Sequence, residues 1–267
     1  AYTIVISSAD ATGSTAAEFN TINALTTIAV DLTNVTSITS SSFDDLETLA
    51  TAIGNSEFSN TTGFTTITVS DAAVDATVLA ATIDTYDSIN GSGTTLIELN
   101  GGATINVDAE EVVDMLLDET ENRLNITDQN IVVTGSISVD DANLLSATTT
   151  GTVTASIVTT ETVDSLLNLA GTHAYTIVIS SDDAAVSADD LNTISALTTE
   201  AIDATAVTDI TRDTISNINT LLIAGNDTAQ FTDTSFSQLS SVSVFNVTEY
   251  LANNDDLSLI HISEPTR

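Results

Sequence analysis

Residues Ala1–Thr27 read AYTIVISSADATGSTAAEFNTINALTT, and 173 residues downstream Ala174–Thr199 read AYTIVISSDDAAVSADDLNTISALTT. The two stretches match at most positions and differ by a single residue in length, within the loop. A near-duplicate so far along the chain constrains the fold more than any other feature. It predicts an array of similar units, each burying its apolar face on its neighbours, rather than a fold built around one site. It points to an architecture and names no reaction.

Two kinds of segment alternate along the chain. The first is short, apolar and rich in β-branched residues: Tyr2–Ser7, Ala29–Thr39, Thr65–Ser70, Thr94–Leu99, Thr104–Val107, Asn130–Thr134, Thr152–Val158, Tyr175–Ser180, Ala201–Ile210 and Ser241–Val247. These are predicted strands. Several, such as YTIVIS, are apolar at consecutive positions, which predicts burial on both faces of a parallel sheet. The second kind opens with a helix-start signal. Thr15–Glu18, Ser42–Asp45, Asp108–Glu111, Ser138–Asp141 and Ser187–Asp190 all have a side-chain acceptor followed three residues later by an acid. That pairing satisfies orphan backbone N–H groups and suits the positive end of the helix dipole. Apolar residues then follow at helical spacing, as in Leu46, Leu49 and Ile53 or Leu191, Ile194 and Leu197.

Predicted helix starts fall near 15, 42, 75, 108, 138, 160, 187, 211 and 235, which is one strand and one helix per unit, repeated about nine times. Parallel strands joined by helices use right-handed crossovers. The expected fold is therefore α/β: a repetitive strand–helix solenoid, like a leucine-rich-repeat protein in plan, with a parallel sheet roughly 40 Å long at ~4.8 Å per strand. The leucine-rich consensus LxxLxLxxN itself is absent. A parallel β-helix is the alternative, disfavoured because its coils need few helices. A doubly wound sheet comes third, since it requires the strand order to reverse. Residues 1–256 are read as one array, a fragment of a longer chain, with 225–256 the least regular part.

Leu257–Arg267 (LSLIHISEPTR) resembles the translation of a transposon-type sequencing adapter. It holds the only proline, Pro265, together with His261 and Arg267, and it is set aside from the fold.

Charge narrows the function. The chain carries 38 acids against 3 bases, a net charge of −35, yet 42% of its residues are hydrophobic. Acidic disordered tails lack that apolar content, so a folded chain is expected. Arg123 and Arg212 are the only cations before the tail, which leaves nothing to neutralise phosphates and excludes nucleic acid as a partner. Self-repulsion weakens the compact state unless salt or divalent cations screen it. There is no cysteine, so no disulfide or thiolate chemistry. No apolar run approaches the roughly 20 residues of a membrane span.

Acid pairs supply the candidate metal ligands: Asp140 and Asp141, Asp182 and Asp183, Asp189 and Asp190, with Ca²⁺ the ion they would take. Similar pairs occur at Asp44/Asp45 and Glu110/Glu111. Most pairs sit at predicted helix starts, where capping accounts for them, and no EF-hand or glycine-rich nonapeptide loop is present. His173 has no GxSxG partner and is read as a loop histidine at a repeat junction. Sugar sites usually display aromatics, but tryptophan is absent and aromatics make up 4%. Tyr2, Tyr86, Tyr175 and Tyr250 are read as core or sheet-edge residues. No catalytic or cofactor residue is assigned, and no enzyme is expected. The Asn of FNT (Phe19–Thr21), ANL (Ala142–Leu144) and LNT (Leu191–Thr193) recurs at one place in the helix; a solvent-facing position is favoured over a ladder between coils.

Segments such as VSADDLNTISALTT, SISVDDANLLSATTTGTVTASIV and TTETVDSLLNLAGTHAYTIVIS resemble the acidic, Thr/Ala/Asp-rich repeats of very large secreted proteins of marine cyanobacteria and similar bacteria. The resemblance covers most of residues 1–250. It implies an extracellular or cell-surface location, often with calcium-binding modules elsewhere in the chain, and carries no catalytic residues. The expected role is a structural or adhesive repeat segment whose partners are its neighbouring repeats and an extracellular polysaccharide or protein. A calcium-dependent binding module and a phage or filament structural protein are the alternatives.

Overall fold

A computed structural model describes residues 3–10, 12–91 and 94–244. Tyr2, Tyr250, the end of the predicted strand Ser241–Val247 and the tail Leu257–Arg267 lie outside the described residues. The chain divides into two compact units: Ala1–Ile157 with His173–Tyr175, and Val158–Thr172 with the residues from Thr176 onward.

Along the first unit run α1 (Ala16–Ala24), β1 (Val30–Asp31), β2 (Ser37–Ser41), α2 (Phe43–Gly54), β3 (Phe58–Ser59), β4 (Thr66–Val69), β5 (Ala73–Asp75) and α3 (Ala76–Asn90). There follow β6 (Leu96–Leu99), β7 (Thr104–Asp108), α4 (Val112–Thr120), β8 (Leu124–Asn125), β9 (Asn130–Ile137), α5 (Val139–Thr148), β10 (Val153–Ile157) and, after a gap in sequence, β11 (Ala174–Thr176). The second unit holds α6 (Val163–Leu166), β12 (Ala185–Val186), α7 (Ala188–Ser195), β13 (Asp209–Asp213), α8 (Ile215–Ala224) and β14 (Ser241–Val244).

The α/β class and the parallel pairing are as expected. β2-β4-β6-β8 form one sheet and β5-β7-β9-β10-β11 another, with a small β1-β3 pair; β12-β13-β14 form the sheet of the second unit. The registered pairs are parallel, and strand order follows chain order, without the reversal that a doubly wound sheet needs.

One strand per unit in one long sheet is too simple, however. Several predicted strands are cut in two, and the pieces join different sheets. The physical cause is a recurring side-chain turn. Asp31 Oδ1 accepts the backbone N–H of Thr33 at 2.9 Å and its hydroxyl at 2.6 Å, which bends Ala29–Thr39 into β1 and β2. Asp203 does the same to Ala201–Ile210 through the Thr205 N–H at 2.9 Å, and Asn125 accepts the Thr127 N–H at 3.1 Å.

Burial on both faces is also overturned. Strands alternate: Ile67 and Val69 of β4, Ile97 and Leu99 of β6, and Ile105 and Val107 of β7 point inward, while the other positions hold Thr, Asn, acids and a half-buried Leu96. Even in YTIVIS, Ile6 is buried and Val5 is 53% exposed. Helices bury one stripe against these strands: Leu46 and Leu49 from α2; Leu79, Ile83 and Tyr86 from α3; Leu191 and Ile194 from α7.

Helix starts are legible at eight of the nine places. Thr15 forms a complete capping box with Glu18, and Ser42, Ser138 and Ser187 each accept the N–H three residues on. Asp108 is the exception: its side chain makes no cap bond, and a short 3-10 turn (Ala109–Glu111) precedes α4. Near residue 235 the chain forms turns and no helix. There a hydroxyl does the turning: Ser235 Oγ donates to the Ile202 carbonyl and accepts the Ala204 N–H, both at 3.0 Å.

The duplication reaches further in structure than in sequence. β2 and β13 carry the same register to their neighbours, Ser37–Thr66, Ile38–Ile67 and Ser41–Val69 against Asp209–Ser241, Ile210–Val242 and Asp213–Val244, with the irregularity at the same step. The single bridges Val5–Asp31 and Val178–Asp203 match as well.

Candidate functional site

The polar chemistry of this protein concentrates where one repeat meets the next. Among the described residues, seven of the eight α-helix starts are capped by their own Ser, Thr or Asp, α4 being the exception, and four of the seven are capped a second time by a residue 20 to 28 positions downstream. Ser41 Oγ accepts the Ala16 N–H at 2.8 Å. Asp71 Oδ2 accepts the Phe43 N–H at 3.1 Å, Asp183 Oδ2 the Val163 N–H at 2.9 Å, and Asp213 Oδ2 the Asp189 N–H at 2.8 Å. The first four N–H groups of a helix have no internal partner, so an acceptor from the next repeat satisfies one and locks the two repeats together.

Asp213 is the most complete of these. It is 5% exposed and lies between the starts of α7 and α8. Its Oδ1 accepts the Thr214 N–H at 2.6 Å and the Asn217 amide at 2.9 Å. Burial alone pushes its carboxyl up; bonds from the Asp189, Thr214 and Ala188 backbone and the Asn217 side chain outweigh that and hold it below 3.8. Ser41 occupies the equivalent place in the first copy, at the end of β2.

A second tie recurs in both copies. Asn20 Nδ2 donates to the Asp45 carbonyl, and Asn192 Nδ2 to the Asn217 carbonyl, each at 3.0 Å. In both, Oδ1 is buried without a partner. The favoured solvent-facing reading of this Asn is therefore corrected: it is half-buried and bonds to the next helix. Tyrosines also reach to helix carbonyls, Tyr86 from α3 and Tyr175 from β11. The Tyr86 hydroxyl donates to the Leu46 carbonyl at 2.8 Å and the Tyr175 hydroxyl to the Ala142 carbonyl at 3.4 Å, with burial raising both hydroxyls, Tyr175 to about 12.

Arg123 forms a charged hub. It bonds Asp84 through Nη2 at 2.7 Å, Asp87 through Nε at 2.9 Å and Asp118 through Nη1 at 2.9 Å, with Glu121 at 3.8 Å. It thereby ties α3 to α4. Burial and the neighbouring Asp84, Glu121 and Asp114 hold the Asp118 carboxyl above its usual range, although Arg123 pulls it down.

The predicted metal candidates are spread among these roles. Asp141 and Asp190 accept the hydroxyls of their own cap residues, Ser138 at 2.7 Å and Ser187 at 2.6 Å. Asp183 caps α6, Asp189 Oδ1 accepts the Asn217 amide at 3.1 Å, and Asp140 and Asp182 are exposed at helix starts. Among the described residues, no group of three or more acids or histidines converges to hold a metal ion.

His173 stands beside a serine, yet the pair is not arranged for nucleophilic attack. Its Nδ1 accepts the Val153 N–H at 3.2 Å, so the ring proton sits on Nε2, 3.0 Å from Ser146 Oγ. The imidazole therefore donates to the hydroxyl and offers it no base. Burial lowers the His173 pKa and keeps the ring neutral.

Sequence reasoning missed Ser41, Asp71 and Asp213 and the hub at Arg123. A signal existed for two of them: a polar residue closes an apolar strand immediately before a cap, in Ser41–Ser42 and Asp213–Thr214. Among the described residues no helix is long and apolar enough to cross a membrane. No known protein family, curated protein or solved structure matches this chain.

Proposed function

We propose that this chain is a solenoid of strand–helix repeats that acts as a structural or adhesive segment of a large secreted or cell-surface bacterial protein. The observation that carries the reading is the junction repeated in both copies: Ser41 and Asp213 at the starts of α1 and α7, and Asn20 and Asn192 on those helices reaching to the next helix. The same bonds serve twice, so such an array lengthens by adding repeats, and each repeat is held by its neighbours. In this reading the chain is an acidic spacer, not an enzyme, and its carboxylates serve the fold and repel other anions. Its partners are the neighbouring repeats and an extracellular polysaccharide or protein. The location follows from the resemblance to acidic repeats of secreted proteins.

The test is a set of thermal melts followed by circular dichroism, in chelator, in millimolar calcium, in equal magnesium, and in sodium chloride of matched ionic strength. Equal stabilisation by all the salts is expected for a passive scaffold, because screening alone acts. A large rise in calcium only would overturn it in favour of a calcium-dependent binding module.

A further inference from the structure

Asparagine is followed by glycine at Asn90–Gly91 and at Asn100–Gly101, and the fold treats the two pairs in opposite ways. Asn90 closes α3 and is 8% exposed, its amide donating to the Phe64 carbonyl at 2.7 Å and to Thr95 Oγ1 at 3.3 Å. The Gly91 N–H is engaged as well, donating to the Asp87 carbonyl at 3.0 Å. Asn100 is exposed in the turn between β6 and β7. The Ala103 N–H closes that turn on the Asn100 carbonyl at 3.0 Å, and Gly102 has the positive φ of +77° that a type II turn needs at its third residue. Gly101 takes the second position, exposed, and among the described residues its N–H has no acceptor.

Asn100 is also a tie between repeats. Its Nδ2 donates to the Ser70 carbonyl at 3.2 Å, 30 positions upstream. Asn34 bonds the Ile6 carbonyl in the same way, Asn106 that of Val74 and Asn130 that of Gly102, and Asn20 and Asn192 do so between helices. The residues that follow these five are Val35, Val107, Ile131, Thr21 and Thr193, all β-branched. A branched side chain crowds the peptide nitrogen after the asparagine, whereas glycine leaves it open. In this set Asn100 alone precedes a glycine.

We propose that Asn100 is a self-modification site, at which the Gly101 nitrogen attacks the Asn100 side chain and converts it to aspartate and isoaspartate as the protein ages. The Gly101 N–H gives its proton to hydroxide, and the nitrogen bonds to Cγ of Asn100. The Cγ–Nδ2 bond breaks, Nδ2 takes a proton from water and leaves as ammonia, and a five-membered succinimide remains. Water then adds to either ring carbonyl and breaks its bond to the ring nitrogen. Opening at Cγ gives aspartate; opening at the main-chain carbonyl gives isoaspartate, with the backbone routed through Cγ. The net reaction consumes one water and releases one ammonia. Either product loses the donor that held Ser70 and sets a carboxylate beside that carbonyl. Isoaspartate also lengthens the main chain between β6 and β7, which belong to different sheets. One repeat junction is thereby loosened while the ties guarded by β-branched residues persist.

The test is incubation of the full chain in mildly alkaline buffer below its melting temperature, followed by peptide mapping and by assay of released ammonia. Asn100 is expected to convert to a mixture of aspartate and isoaspartate, faster as pH rises because the attacking nitrogen must lose its proton, while Asn90 and Asn130 stay intact. In denaturant Asn90 should convert as readily as Asn100, since only the fold protects it. Gly101→Ala should strongly slow conversion at Asn100. Its added Cβ meets only the end of the Asp128 side chain, and circular dichroism verifies that it folds. If it does not fold, Asn100→Gln replaces it, because glutamine must close a larger, slower ring. The aged chain and Asn100→Asp should both melt below the fresh wild type. An Asn100 that stays intact in the folded chain after the denatured chain has converted would overturn the proposal. So would Asn90 converting as fast as Asn100 in the fold, or an aged chain that melts like the fresh one.

Discussion

At the scale of single residues, two side chains carry more than their share. Asp213 collects N–H groups from two helix starts, and charge-assisted bonds of this kind are each worth about 1.5–3 kcal/mol. Asp213→Ala is expected to lower stability by about 2–3 kcal/mol in chemical denaturation, and Ser41→Ala at the equivalent place by about 1 kcal/mol. The pH dependence has a definite sign. The Asp213 carboxyl is held below 3.8 in the fold, so its contribution is complete above that value and is lost as pH falls through the folded value. The difference between wild type and Asp213→Ala should therefore shrink in acid. Arg123 is the reverse case, a cation holding four carboxylates in place. Arg123→Leu should cost roughly 2 kcal/mol near neutral pH, less than a fully buried pair because the group is partly exposed. Part of that loss should return in acid, as Asp118, whose carboxyl is held above its usual range, takes up a proton; an equal loss at every pH would contradict a charge-based role.

At the scale of elements, helix starts and turns govern the repeat. Ser138→Ala and Ser187→Ala should each cost about 1 kcal/mol, the usual worth of an N-cap. Asp108→Ala should cost less than either, because Asp108 makes no cap bond despite its capping-box spacing. Denaturant midpoints of the three variants decide this. Gly151 marks a close passage between repeats. A Cβ there would run into the Gln129 carbonyl, so Gly151→Ala must displace backbone, whereas at Gly13 the same change meets nothing within 4 Å. A melting temperature lowered far more by the first than by the second is the expected outcome. The capping pattern was legible at these starts because it is local: acceptor, spacing and acid all lie within four residues. The Asx turns that split the strands were not recognised, because Asp-x-Thr and Asn-x-Thr are common in a chain so rich in threonine, and only some of them turn.

At the scale of the whole molecule, electrostatics is a single large opposing force. The −35 charge is distributed over a chain with almost no counter-charge of its own. At ~0.01 M salt the screening length reaches roughly 30 Å and repulsion between distant carboxylates acts in full. The melting temperature should therefore fall steeply on desalting and climb again with any inert salt. A salt-independent melt would mean that the carboxylates are locally compensated, as they are around Arg123. The apolar alternation along β4, β6, β7, β9 and β10 supplies the favourable side of this balance, since each inward Ile, Val or Leu removes surface from water in register with its neighbours.

The sequence by itself determined the α/β class, the parallel strands, eight of the helix starts and the near-duplication of residues 1–27 at 174–199. Those features depend on short-range patterns: a period of two, a period near four, and a cap. It also determined the acidity that sets the solution behaviour. The tertiary structure alone decided that the strands divide among several sheets and bury one face, that the Asn of the helix points into the next repeat, and that Ser41, Asp71, Asp183 and Asp213 close helices other than their own. Those contacts join residues 20 to 28 positions apart, so they depend on how one repeat is stacked on the next. No local rule of propensity or spacing contains that distance, because it is set by the packing of two repeats and not by either one.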